Sequence, residues 1–427
     1  MSAYIRLSIM MFLQFFIWGA YVVPMGKYLS TLFAGNTSLQ DIIGDAYATN
    51  SIGAVVAPLF VGLIADRFLP GQIVMGILHL LGAGLLVLAA QATDPGGFLA
   101  GGFVGLMLAY SICYMPTLAL VNSVSFDQLE SPEKQFPAIR VWGTIGWIVA
   151  GIAVGLVLPH FMSCPVSADT GKPDAGMTKI PLFVAAVVSV VLGIYSFTLP
   201  NSPPKAKGEK VSIGRLLGLD AVGMFKKPAF AIFALCSFLL CIPLAVYYAK
   251  ANEFLGAAGI SGSEFKMTFG QMSEILFMIL MPVFLARFGV KAMLLGGMAA
   301  WVARYFLFAF GITPEGHGIE WMILLGVVLH GICYDFFFVT GQLYTDKIAP
   351  REIRASAQSM IGILTYGAGM FVGNKVWPLV AEKVAKEGGG FPWTSFWQVF
   401  AWMALGIMVL FALAFRDRAK LGDKEQA

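Results

Sequence analysis

Arg140, Thr144 and Trp147 fall at i, i+4 and i+7 in the stretch Phe136-Pro-Ala-Ile-Arg-Val-Trp-Gly-Thr-Ile-Gly-Trp-Ile-Val-Ala-Gly151, so a helix over it gathers them on one face. That face offers a cation with a fork of donors, a hydroxyl and a flat aromatic plate. Gly143, Gly146 and Ala150 occupy a different face, where small residues let a neighbouring helix come close. A charge placed in lipid costs about 2.5 to 3.5 kcal/mol, so Arg140 is expected to face a polar cavity and clamp a ligand. The competing assignment is an arginine snorkelling to the membrane surface, because the polar run Glu130-Ser-Pro-Glu-Lys-Gln135 lies a few residues away.

A second set lies in the later half of the chain. Gln271 and Glu274 are three apart on one helical face and lead directly into Ile-Leu-Phe-Met-Ile-Leu-Met. Protonation of a carboxyl there responds to burial and to any nearby cation, which suits a proton carrier; the plainer role is a helix-end glutamate paired for structure. Further on, His330 and Tyr334 share a face, while Asp335 is rotated about 100° from Tyr334. His330 and Tyr334 are expected to line a cavity, and Asp335 to be a second proton site or a helix-helix contact. Tyr247, Tyr248 and Asn252 are secondary candidates, as are Gln14, Trp18 and Tyr21, since aromatic residues near helix ends usually form the interfacial belt. Lys27, Arg304 and Lys375 have no partner visible in the sequence and are expected to be interfacial or structural charges.

The elements that must position these residues are membrane helices. The chain has 427 residues, of which 58% are hydrophobic and 12% charged, against roughly 25% charged in soluble domains. Apolar runs of helix-spanning length recur throughout, and the short alternating pattern of a β-barrel is absent. Twelve spans are expected, centred near residues 18, 56, 81, 109, 149, 189, 238, 276, 300, 330, 366 and 404. They divide into a six-helix bundle over 1–200, a lysine- and proline-bearing linker over 201–225, and a second six-helix bundle with a short tail over 226–427. Eighteen lysines and arginines fall on the side holding both termini, against five (Lys172, Lys179, Lys266, Lys383, Lys386) on the other, so both termini are expected in the cytoplasm. The run after Arg6 is too long for a signal peptide and reads as a retained first helix.

Composition also excludes several classes. No Gly-x-x-x-x-Gly-Lys-Ser/Thr loop occurs, so transport energy is expected from an ion gradient, with protons favoured by the two membrane carboxylates. The five cysteines have no metal-ligand spacing, and neither cofactor nor metal is expected. The net charge of +4 reports loop topology and gives no sign of nucleic-acid binding. No catalytic role and no obligate protein partner are implied; the surroundings are membrane lipid.

Arg140-Val-Trp-Gly-Thr-Ile-Gly-Trp147 resembles a signature shared by the nucleoside/proton and oligosaccharide/proton symporters of the major facilitator superfamily. Leu13-Gln-Phe-Phe-Ile-Trp-Gly19, Leu216-Leu-Gly-Leu-Asp-Ala221, Gln271-Met-Ser-Glu274, Tyr334-Asp-Phe-Phe337 and Ile353-Arg-Ala-Ser-Ala-Gln358 resemble the nucleoside/proton symporters, in order and over nearly the whole chain. The resemblance implies the major facilitator fold and import of nucleosides with protons by alternating access across a bacterial cytoplasmic membrane. It implies ligand contacts at Arg140, Thr144, Gln271 and Glu274, which match the family in type. Trp147 stands where enterobacterial members have phenylalanine, His330 and Tyr334 where they have tyrosine and phenylalanine, and Ala245 and Tyr248 where they have glutamine and asparagine. Two other readings stay open: a proton-coupled saccharide symporter, since a sugar also packs on Trp147, and a receptor that binds the same ligand without moving it.

Overall fold

Long apolar runs leave the backbone no polar partner but itself, so each run closes into a helix. The computed structural model describes residues 3–61, 64, 68–204, 213–313, 316–385 and 391–416, and they are helical almost throughout. The first half carries α1 (Ala3–Leu32, turning at Pro24), α2 (Leu39–Phe60), α3 (Gly71–Gln91), α4 (Gly102–Asp127), α5 (Gln135–Phe161) and α6 (Ile180–Ser196). The second half begins with α7 (Pro228–Ala257) and continues into a single helical run, Ser263–Phe310. At 1.5 Å per residue its 48 residues extend about 72 Å, more than twice the hydrocarbon core of a bilayer. Gly289 divides it: φ 74° and ψ 175° are open to glycine and costly for residues with a Cβ. The arms 263–288 and 290–310 are α8 and α9, matching the two spans expected near residues 276 and 300. Then follow α10 (Glu320–Ile348), α11 (354–384) and α12 (Trp393–Ala414).

Among the described residues, eight stretches are long and apolar enough to cross a membrane, with the shorter Ile180–Ser196 beside them. The twelve expected spans are accommodated by α1 to α12. Large apolar side chains face outward in the manner of a lipid-solvated surface, as at Val187, Ile279, Val283, Trp321 and Leu413. Residues 205–212 of the expected linker lie outside the described residues; Ile213–Leu216 and Leu219–Lys226 form short helical turns.

The chain divides into two compact units. The first comprises Met1–Leu216, Tyr247–Ala257 and Ser261–Thr268; the second comprises Leu217–Val246, Ala258–Ile260 and Phe269–Ala427. In the first, α5 lies directly on α1: a Cβ on Gly146 would collide with the backbone oxygen of Phe12. In the second, α10 lies on α8, where a Cβ on Gly331 would meet the Ser273 carbonyl carbon at 2.5 Å. With little hydrophobic drive between helices in lipid, such backbone-to-backbone approach is what holds each pair together. Three π-helical stretches interrupt the α-helical rods, Ala153–Val157, Tyr334–Val339 and Ile363–Gly369.

Candidate functional site

In the first unit, α5 presents Arg140, Thr144 and Trp147, all partly buried, along the face that meets α1. The guanidinium carbon of Arg140 sits 4.2 Å from the centre of the Phe15 ring, a cation-π contact inside the unit. Trp147 meets Trp18 edge to face at 5.4 Å, and Trp18 in turn meets Tyr114 at 6.1 Å. Behind this aromatic wall lies a polar network. Gln14 donates to Thr117 at 2.8 Å, pairs with His79 Nε2 at 2.8 Å, and its backbone oxygen accepts from the Tyr114 hydroxyl. The Tyr21 hydroxyl and the Ser111 hydroxyl both donate to the Asn50 carboxamide. Gln14 and Tyr21 are therefore buried in the unit, which for Tyr21 corrects the expectation of an interfacial belt near a helix end.

Tyr247 and Tyr248 pack ring to ring at 6.0 Å, and Asn252 belongs to a separate, largely buried ionic cluster. The Lys27 ammonium donates to Glu264 Oε1 at 2.8 Å, Asp174 Oδ2 at 3.0 Å and the Ser263 hydroxyl at 2.6 Å. Those three bonds use all of its protons. Asn252 Nδ2 also donates to Glu264 Oε1, at 2.9 Å, and the Gly176 N–H to Asp174 Oδ1, at 2.8 Å. Asp174 lies in the connection before α6, where burial and the neighbouring Glu264 push its carboxyl above the usual range against the pull of Lys27. Of the interfacial and structural roles left open for it, Lys27 has the structural one, with partners 147 and 237 residues away that spacing could not show.

In the second unit, Gln271 and Glu274 are partly buried on α8. Ser273 between them donates to Val328 O at 2.6 Å and accepts the Gly331 N–H at 2.9 Å, which fixes α10 against this turn. His330, at 1% exposure, packs its ring 5.9 Å from Tyr334. The Tyr334 hydroxyl is 2.5 Å from that of Tyr366 on α11, a residue that sequence spacing did not single out. Arg304 is fully buried too, its guanidinium 4.8 Å from the Trp301 ring centre and its Nε donating to Gly326 O.

Asp335 differs from the other acids among the described residues of the unit. It has 0% exposure, and neither carboxyl oxygen has a hydrogen-bond partner among the described residues. Glu274 lies within electrostatic reach, so ionising both would add like-charge repulsion to the penalty of burial. The residue sits at the start of the π-helical stretch, a local geometry that recurs at functional positions.

Comparison with known proteins decides between the readings. The family described as Nucleoside H+ symporter matches residues 1–420. The chain belongs to that family. Like other members of the symporter family, it is a membrane-embedded transporter with the major facilitator fold, and the nucleoside reading is supported over the saccharide one. It is 40% identical over 417 residues to the putative nucleoside transporter YegT of Escherichia coli (strain K12), covering 96% of this chain and 93% of that one. It is 33% identical over 432 residues to the xanthosine permease of the same organism, covering 97% and 96%. The crystal structure of the nucleoside transporter NupG superposes with a TM-score of 0.83 at 31% identity, covering 98% of this chain and 100% of that one.

Proposed function

We propose that this symporter carries nucleosides into the cytoplasm of a bacterium by alternating access, both termini being cytoplasmic, with Asp335 as the residue that binds and releases the coupled proton. The observation that carries the proton assignment is the complete lack of donors around its buried carboxyl among the described residues. A buried carboxylate without a partner is costly, and the same group protonated is not, so the proton occupancy of Asp335 is set by how far the site opens to water. Glu274, expected from the sequence as the first carrier, then shares its field with Asp335 and contacts ligand.

Substrate contacts are assigned to Arg140, Thr144 and Trp147 from the first unit and to Gln271, Glu274, His330 and Tyr334 from the second. Trp147 supplies a face for a nucleobase, and the guanidinium, amide and carboxyl groups supply partners for ribose hydroxyls and base edges. Tyr247, Tyr248 and Asn252 are left outside this set, because Asn252 is held by Glu264 and the two tyrosines by each other. Relatives named for nucleosides and for xanthosine support both pyrimidine and purine substrates as probes. The protein acts by transport, without catalytic chemistry of its own.

The test uses proteoliposomes given labelled uridine or xanthosine from outside, preloaded with the unlabelled compound for counterflow. Asp335→Asn should abolish accumulation driven by a proton gradient while leaving counterflow, which needs no net proton movement. Gradient-driven accumulation by Asp335→Asn, together with its loss in Glu274→Gln, would transfer the role to Glu274. Trp147→Ala should weaken nucleoside binding by about 1 to 3 kcal/mol, as for a stacked base, measured as a rise in Kd by titration calorimetry.

A further inference from the structure

The segment that leads into α7 has two distinct edges. Leu219–Lys226 is a 3₁₀ helix, and with three residues per turn its side chains at i, i+3 and i+6 stand in one line. Ala221 and Met224 form the buried line, where the segment packs on the start of α11. The chain enters this contact at Gly218, whose φ of 77° and close approach both require glycine: a Cβ there would meet Ser356 O and Met360 N at 2.6 Å. Leu219, Val222 and Phe225 form another line, and they are 57%, 50% and 37% exposed. Three large apolar side chains in a row are poorly accommodated by water.

The place of the segment in the chain decides what surrounds that row. Pro228 begins α7, which is long and apolar enough to cross a membrane, so the row ends within three residues of a membrane span. The Phe225 ring lies 5.5 Å from that of Phe230 in the first turn of α7. Charges gather at the same place. Lys226 and Lys227 are exposed, and Lys227 Nζ donates to Ile348 O at 3.4 Å, at the end of α10. Beside Ile348 in the chain, the Lys347 ammonium is hidden from solvent and has no hydrogen-bond partner among the described residues. An ammonium with neither water nor acceptor is costly, and its three protons suit the oxygens of a phosphate. Stretches 217–228 and 344–354 together hold five cations (Lys226, Lys227, Lys347, Arg351 and Arg354) against three acids, Asp220, Asp346 and Glu352.

We propose that this segment is a seat for an anionic phospholipid of the phosphatidylglycerol type. Leu219, Val222 and Phe225 lie among the acyl chains, and Lys226, Lys227 and Lys347 hold the headgroup phosphate. Interfacial helices bind membranes in this way, with an apolar edge at the acyl boundary and lysines on anionic headgroups. A zwitterionic lipid offers the same phosphate but carries a cation of its own, so the lysines select for net negative charge. The proposed orientation puts this end of the unit in the cytoplasm, where basic residues next to a span meet the negative leaflet. A lipid held here sets the depth at which α7 enters the membrane, whatever solute the protein carries.

Native mass spectrometry of the full-length protein in detergent, titrated with phosphatidylglycerol or phosphatidylcholine, tests the seat. Phosphatidylglycerol should bind about fivefold or more tightly than phosphatidylcholine. Lys347→Met should weaken phosphatidylglycerol about fivefold, the effect of one lysine near an anionic surface. Lys172→Met, which removes an exposed lysine outside the cluster, should leave that affinity within about twofold. The double substitution Lys226→Gln with Lys227→Gln changes only exposed side chains; it should weaken phosphatidylglycerol at least as much and serves if Lys347→Met does not fold. In phosphatidylcholine nanodiscs, adding phosphatidylglycerol should slow hydrogen exchange of the amides of 219–226, and inorganic phosphate should not. Equal affinity for the two lipids, unchanged phosphatidylglycerol affinity in the folded variants, or equal slowing by inorganic phosphate overturns the proposal and leaves the transport reading intact.

Discussion

In the first unit the Lys27 ammonium meets two carboxylates and a hydroxyl and has no proton to spare, whereas in the second the Asp335 carboxyl meets no donor among the described residues. Both sites are buried in a chain that has few charges. The difference is in what each can do. A cluster whose cation has every proton matched holds one arrangement, because moving that cation strands its carboxylate partners at a penalty of several kcal/mol. An acid with nothing to hold has no preferred partner to lose, so its proton count can change with the opening of the site without stranding another buried group.

The largest effect expected from breaking this contrast is at Lys27. Lys27→Met leaves Asp174 and Glu264 buried and facing each other without a cation, so stability should fall by about 3 to 5 kcal/mol, read as a lower melting temperature in detergent. Unchanged melting would mean that the cluster is hydrated and contributes little. Next comes Asp335→Asn, which should keep stability within about 1 kcal/mol of the wild type even as gradient-driven uptake is lost, since no hydrogen bond is removed. A melting temperature that falls as far as that of Lys27→Met would place Asp335 among the structural charges.

The smallest effect is expected at Asp174. Its carboxyl is held above the ordinary value of 3.8, so the folded protein binds this proton more tightly than the unfolded chain. Stability from this group is therefore greatest at low pH and declines as pH rises through the interval above 3.8. Asp174→Asn should flatten that decline by less than about 1 kcal/mol, measured as melting temperature against pH, while Glu264 keeps its bond to Lys27.

How far the sequence foretold these features follows from the kind of physics each depends on. Helices and their faces depend on neighbours in the chain, so the all-helical membrane architecture, the Arg140–Thr144–Trp147 face and the pairing of His330 with Tyr334 were legible from spacing. The division of the 48-residue run was legible as two spans although only Gly289 interrupts it. Partners brought together by folding were not. Asp174 and Glu264 are ordinary loop and helix-start acids until Lys27 arrives, and Tyr366 is one more aromatic in an apolar run until its hydroxyl meets Tyr334. Tyr21 misled for the same reason: proximity to a helix end says nothing about which helix covers it. The isolation of Asp335 is the hardest of all to foresee, because it consists of donors that did not come.

The π-helical stretch Tyr334–Val339 carries a consequence for how this chain can vary between species. In a 3.6-residue turn, side chains four apart wander steadily around the rod, and a wider turn closed by i→i+5 bonds winds them back. Phe338 keeps its ring 5.5 Å from that of Tyr334 across this wider turn. A chain one residue shorter here would retain all the same groups yet aim those beyond the gap at different neighbours. Natural variants should accordingly exchange one amino acid for another within 334–339 while its length stays fixed, as a set of orthologous genes can reveal.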